Sequence, residues 1–166
     1  MKDKEEALRK TIQIVIFRLQ TEEFGVNINC VREIVRLVEI THLPEAPGFL
    51  EGVINIRGQV IAVINLAKQF GFPPQAEYPK TARIIVTEVG EKLIGMIVDE
   101  VPQVLNIAED DIQESPELFK TTIKKDYISG IGKLNERLIV MLDLTKVLEP
   151  HELSKIDEVA EGENSG

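Results

Sequence analysis

Apolar and polar positions along the chain fall into short, β-branched runs separated by turn residues. Thr11–Leu19, Phe24–Ile28, Val35–His42, Gly52–Arg57 and Gln59–Ile64 make one set of five. Thr81–Val89, Leu93–Val98, Gln103–Ile107, Gly130–Leu134 and Arg137–Leu142 make a second. Runs of this length, rich in Ile and Val and punctuated by Gly and Pro, predict an all-β sandwich or barrel.

The two sets match each other. A shift of 70 residues lays Lys10 and Thr11 on Lys80 and Thr81, Ile14 on Ile84, Gly25 on Gly95 and Val31 on Val101. A shift of 78 lays Gly52 on Gly130, Ile61 on Ile139, Leu66 on Leu144 and Lys68 on Lys146. The difference falls in the polar stretch around Ile107–Asp126. An internal duplication explains both registers. The matched polar pairs Asn29/Asp99 and Asn65/Asp143 stand where a strand ends and a helical run begins, as N-caps do. This predicts a helical turn over Asn29–Val35 and its counterpart Asp99–Leu105. It also predicts closing helices Leu66–Phe70 and Leu144–Leu148, stopped by Pro73-Pro74 and Pro150.

The expected organisation is therefore a flexible N-terminus (1–10), a first barrel (11–75), a second barrel (76–148) and an acidic C-terminal tail (149–166). The tail carries Glu149, Glu152, Asp157, Glu158, Glu161 and Glu163 against the single base Lys155. Leu153, Ile156 and Val159 recur every three residues, so 151–160 has the pattern of one short amphipathic helix, but a solvated, fraying end is the favoured reading.

Charge and composition then exclude whole classes. The net charge of −9 repels phosphates and so disfavours nucleic acid and anionic membrane surfaces. Apolar runs fall well short of the roughly 18 residues of a membrane span, and the charged start Met1–Glu6 is no signal peptide. One cysteine, Cys30, allows no internal disulfide and points to a reducing, cytoplasmic compartment.

Candidate chemistry is thin. Cys30 lies in the apolar context Ile28-Asn29-Cys30-Val31 and reads as a small buried hydrophobe. His42 and His151 stand without a ligand partner four residues on, and Glu109-Asp110-Asp111 lacks the glycine and spacing of a calcium loop. Gly130-Ile131-Gly132 has no following helix to bind phosphate. The sequence predicts a binding protein with no catalytic role, metal or cofactor.

Two packed barrels leave a groove between them. Val31 and Ile34, with Glu33 between, and their counterparts Val101 and Val104 could line it from both sides and suit an amphipathic partner helix. The same spacing also fits ordinary core positions. The turn Asn55-Ile56-Arg57-Gly58-Gln59 is asymmetric, because the second half has Asn135 and Glu136 there. Gly58 suits a tight hairpin, leaving Arg57 either at its tip or folded back to pair with Glu33.

Several stretches together resemble the CheW coupling proteins of bacterial chemotaxis. They are Phe24–Ile34, Leu43–Gly58 with its Gly52-Val53-Ile54-Asn55-Ile56-Arg57-Gly58 signature, Val60–Leu66, Leu93–Val104 and Tyr127–Gly132. The resemblance covers about residues 10–150. It implies two five-stranded SH3-like barrels related by duplication, with short helices. It also implies a non-catalytic scaffold linking chemoreceptor cytoplasmic tips to the regulatory domain of the histidine kinase CheA. Carried over, Val31, Glu33, Ile34, Arg57, Val101 and Val104 fall on the receptor side, and Phe49, Gly52 and Val53 on the kinase side. The alternative is a module of the same fold that binds the kinase only. One departure is Asn65, where the family usually has aspartate.

Overall fold

The computed structural model describes residues 10–113, 123 and 125–164. The expected flexible segment 1–9 and part of the polar stretch, 114–122, lie outside the described residues. Eleven strands are described. In the first half they are β1 (Thr11–Leu19), β2 (Glu22–Asn27), β3 (Val31–Arg36), β4 (Leu50–Ile56) and β5 (Gln59–Asn65). In the second they are β6 (Arg83–Val89), β7 (Lys92–Val98), β8 (Glu100–Ala108), β9 (Ile112–Gln113), β10 (Ile128–Leu134) and β11 (Arg137–Leu142). Helix α1 is Leu66–Gln69 and α2 is Pro150–Asn164.

The strands form two sheets, ordered β3-β6-β7-β5-β4 and β8-β1-β2-β11-β10-β9. The mostly-β fold with two sheets and short helices agrees with the sequence-based expectation, with the two-residue β9 as an extra edge in the second sheet. The strands are exchanged between the two sheets across position 75/76. β6 and β7 of the second half sit in the sheet that holds β3, β4 and β5. β1 and β2 of the first half sit with β8 to β11. The exchange follows the duplication: β1 pairs antiparallel with β8 as β6 does with β3, and β2 runs parallel to β11 as β7 does to β5. Periodicity assigns each strand its apolar face but cannot assign its neighbour, so the swap was invisible to it.

Both faces of the central strands are covered, which is why they read as continuous apolar runs. On β1, Val15, Phe17 and Leu19 face a large cluster shared between the sheets, while Ile14 and Ile16 face a cluster inside the six-stranded sheet with Ile107, Ile139 and Met141. Ile54, Ile61, Val63, Ile84, Val86 and Ile97 fill the matching interior of the five-stranded sheet. At the centre of the shared cluster Phe24 meets Phe17 at 5.9 Å and both Phe70 and Phe72 at 6.4 Å between ring centroids.

The predicted caps divide by matched pair. Asn65 caps α1, its side-chain oxygen accepting from the Lys68 amide at 3.1 Å, and Asp143 accepts from the Thr145 amide at 3.0 Å to cap the 3-10 turn Leu144–Lys146. The helical turn expected over Asn29–Val35 is instead a 3-10 turn, Ile28–Cys30, followed directly by β3. Asn27 is its cap, accepting from the Asn29 amide at 2.9 Å. The β-branched Val31, Ile34 and Val35 favour strand, and pairing with β6 outweighs a marginal helical turn. Likewise Asp99 caps nothing: it is the buried single-residue link between β7 and β8, accepting from the Gln20 amide at 2.6 Å.

The tail is also ordered further than expected. Pro150 begins a helix, a position that suits proline because its missing N–H is one of the helix's unpaired donors. The Glu152 carboxylate accepts from the Glu149 amide at 2.9 Å, a capping-box contact, and Ile156 is buried in the shared cluster.

Candidate protein-binding surface

The hairpin joining β4 to β5 turns on Arg57 and Gly58, both with positive φ (52° and 82°), the signature of a two-residue turn of the primed type. Asn55 stabilises it by accepting from the Gly58 amide at 2.9 Å. From this tip the Arg57 guanidinium folds back and hydrogen-bonds the Glu33 carboxylate on β3. That contact holds the Glu33 carboxyl below the usual glutamate range and pushes the Arg57 guanidinium up. Arg57 stays largely solvent-exposed, at 73% of its side-chain surface. Of the two readings of Arg57, the folded-back one holds.

Val31 and Ile34 share a face, but through a strand irregularity rather than a helix. β3 shifts register against β6 between Val31 and Glu33, so Arg32 is an extra, bulged residue. The bulge lets residues three apart point the same way, and both pack half-buried on the shared cluster. β8 and β1 carry the equivalent irregularity, and Val101 packs on the same cluster. Val104 is 46% exposed. The duplication thus brings Val31, Ile34 and Val101 to one inter-sheet core, with Val104 outside it.

Phe49, Gly52 and Val53 are differently placed. Phe49 is half-buried against the shared cluster, whereas Gly52 and Val53 are buried. Thr41 bridges Val53 through two backbone hydrogen bonds of 2.9 Å. A Cβ on Gly52 would stand 2.2 Å from the Thr41 carbonyl oxygen, so glycine is required for that approach. Of the three, Phe49 offers the accessible side chain.

Cys30 is half-buried, and burial, followed by the charge of Asp143, pushes its thiol up, away from the reactive thiolate.

A proline-bearing strap that the sequence reading passed over links the halves. Gln20 donates to the Pro73 carbonyl at 2.6 Å, Asn65 to the Tyr78 hydroxyl at 3.1 Å, and Gln75 to Asp99 at 3.3 Å. The strap roofs a cavity of about 520 Å³ lined in part by Ala67, Phe72, Pro74 and Tyr78. Burial first, then the Glu51 charge, raises the Tyr78 phenol to about 12. Its only sequence signal was Pro73-Pro74, read as a helix stop.

Residues 13–152 match the CheW-like domain. The chain belongs to the CheW family. It is 33% identical over 148 residues to the chemotaxis protein CheW of Klebsiella aerogenes, covering 89% of this chain and 88% of that one. It is 36% identical over 134 residues to the probable chemotaxis protein CheW of Rhizobium etli, covering 80% and 84%. The crystal structure of the scaffolding protein TtCheW from Thermoanaerobacter tengcongensis superposes with a TM-score of 0.76 at 38% identity, covering 86% of this chain and 91% of that one. CheW proteins are non-catalytic scaffolds of chemotaxis, and this chain is a coupling protein of that kind. Among the described residues no helix is long and apolar enough to cross a membrane.

Proposed function

We propose that the chain couples chemoreceptors to the histidine kinase CheA in the cytoplasm, recruited to receptor arrays at the inner face of the membrane. The receptor's cytoplasmic tip docks beside the inter-sheet core, with Val31, Glu33, Ile34, Arg57, Val101 and Val104 as its contact set. The regulatory domain of CheA docks on the flank around Phe49, Gly52 and Val53, where Phe49 supplies the side chain and the two buried residues hold β4 in shape. Neither nucleic acid nor direct membrane insertion has a part in this reading.

The observation that carries it is the Arg57–Glu33 pair, which fixes an exposed guanidinium beside the apolar face of β3. An amphipathic helix presents the matching chemistry, with apolar residues for the face and an acceptor for the guanidinium. Separate receptor and kinase surfaces allow both partners at once, which raises their effective concentration around the scaffold.

The test is a titration of the purified chain with the CheA regulatory domain, then of that complex with a receptor-tip fragment. Binding of both together supports the coupling role. Binding of the kinase domain alone would assign the chain to the alternative, a kinase-only module.

A further inference from the structure

Among the described side chains of helix α2, few engage the rest of the molecule. Ile156 is buried and Leu153 half-buried in the shared cluster, while His151, Ser154, Lys155, Asp157 and Glu158 are exposed. Two polar anchors flank the seat of Ile156. Lys92, at the start of β7, donates its ammonium to the Asp157 carboxylate and, at 3.2 Å, to the Leu153 carbonyl. Gln69, the last residue of α1, donates its amide to the Val147 carbonyl at 2.9 Å and to the Glu152 carboxylate at 3.3 Å. The seat therefore has an apolar centre with a cation on one rim and an amide donor on the other. That chemistry fits an acidic helix whose apolar residues are three apart, with carboxylates on either side of them.

The seat and its occupant differ in one respect. Gln69 and Lys92 lie inside the stretch matched to the CheW-like domain, which ends at residue 152, whereas Leu153, Ile156 and Asp157 lie beyond it. The receiving surface lies within the matched stretch together with Glu152, and the apolar side chains of α2 that fill it lie past its end.

We propose that this seat is a docking site for acidic amphipathic helices, occupied in cis by α2, and that a partner helix of the same chemistry displaces α2 from it. Among the described residues the seat gains one buried side chain from α2, and the Lys92–Asp157 pair at its rim is partly solvated, at 30% and 51% side-chain exposure. A short tether gives α2 an effective concentration on the order of millimolar, which is the competition a free helix must beat.

The probe is a labelled synthetic peptide with the sequence of residues 149–164, titrated against the full-length chain. In the full-length Asp157→Lys variant the introduced ammonium faces Lys92 and loosens α2. The probe is then expected to bind about tenfold tighter than to the unaltered chain, and tighter still to the full-length Ile156→Asp variant. A peptide carrying Ile156→Asp is expected to bind none of them. Asp157→Lys alters only a partly exposed side chain, so it decides the question alone if Ile156→Asp fails to fold by circular dichroism. Equal probe binding to the unaltered chain and to Asp157→Lys, or no binding to a folded Asp157→Lys chain, would overturn the proposal.

Discussion

The guanidinium of Arg57 hydrogen-bonds the carboxylate of Glu33, and so joins the two ends of one sheet. Glu33 lies on β3 and Arg57 on the hairpin after β4, the strands that stand first and last in the order β3-β6-β7-β5-β4. The corresponding positions of the other sheet, Gln103 and Asn135, carry no opposite charges. The duplication has therefore kept the scaffold of this closure twice and its ion pair once.

The pair has a pH signature whose sign is set by its geometry. Because Arg57 lowers the folded-state Glu33 value, the stabilisation is fully present above the unfolded glutamate value of about 4.3 and is lost as pH falls through the lower, folded one. An NMR titration should find Glu33 titrating below that value, and Arg57→Ala should move it back up. No movement on Arg57→Ala would mean the pair does not persist in solution.

Arg57→Ala and Glu33→Ala should both weaken binding of a receptor-tip fragment while leaving CheA regulatory-domain binding within about twofold, a change under about 0.5 kcal/mol. Calorimetric titration of each variant with each partner checks this. Equal loss of both partners at unchanged circular dichroism would contradict separate surfaces.

Gly52→Ala should destabilise the fold by about 2–4 kcal/mol, since its Cβ would clash with the Thr41 backbone. Urea denaturation measures it. Any loss of partner binding in this variant should scale with the unfolded fraction, because Gly52 itself is buried.

Phe24→Ala should cost about 3–5 kcal/mol. Phe24 is 1% exposed and its ring touches three other rings, so no neighbour can refill the space without breaking contacts of its own. The melting temperature should fall while the far-ultraviolet spectrum of the folded protein stays the same.

The strand exchange makes a prediction about cutting the chain. Each sheet takes strands from both halves, so residues 1–79 alone would leave β3 unpaired and β1 with β2 only, and residues 80–166 alone would leave β8 unpaired and β6 with β7 only. Neither fragment should give a dispersed amide spectrum by itself, and co-refolding the two should restore one. Independent folding of either fragment would show that the sheets can be built from one half.

Local chemistry was readable from the residues alone. Short β-branched runs bounded by turn residues placed nearly every strand, because strands buried on both faces read as continuous apolar stretches. Asn65 and Asp143 were recognisable as caps, since the short side-chain acceptor that satisfies a free amide is a local device. The duplication and the hairpin at Gly58 were legible because each leaves its mark at fixed spacings in the chain, whereas the Arg57–Glu33 pair was one of two readings until the strands were placed. Other features depended on partners distant in sequence. Asn27 rather than Asn29 became the cap once β6 drew Val31–Arg36 into a sheet, and Asp99 was buried by the turn at Gln20. The same holds for the tail, where an acidic, weakly apolar segment became a docked helix because Lys92, 61 and 65 residues from its partners Leu153 and Asp157, and an apolar seat for Ile156 receive it. A sequence states which face of a strand is apolar, but only the assembled structure decides which strand covers it, because that choice is settled by the competition among all the faces at once.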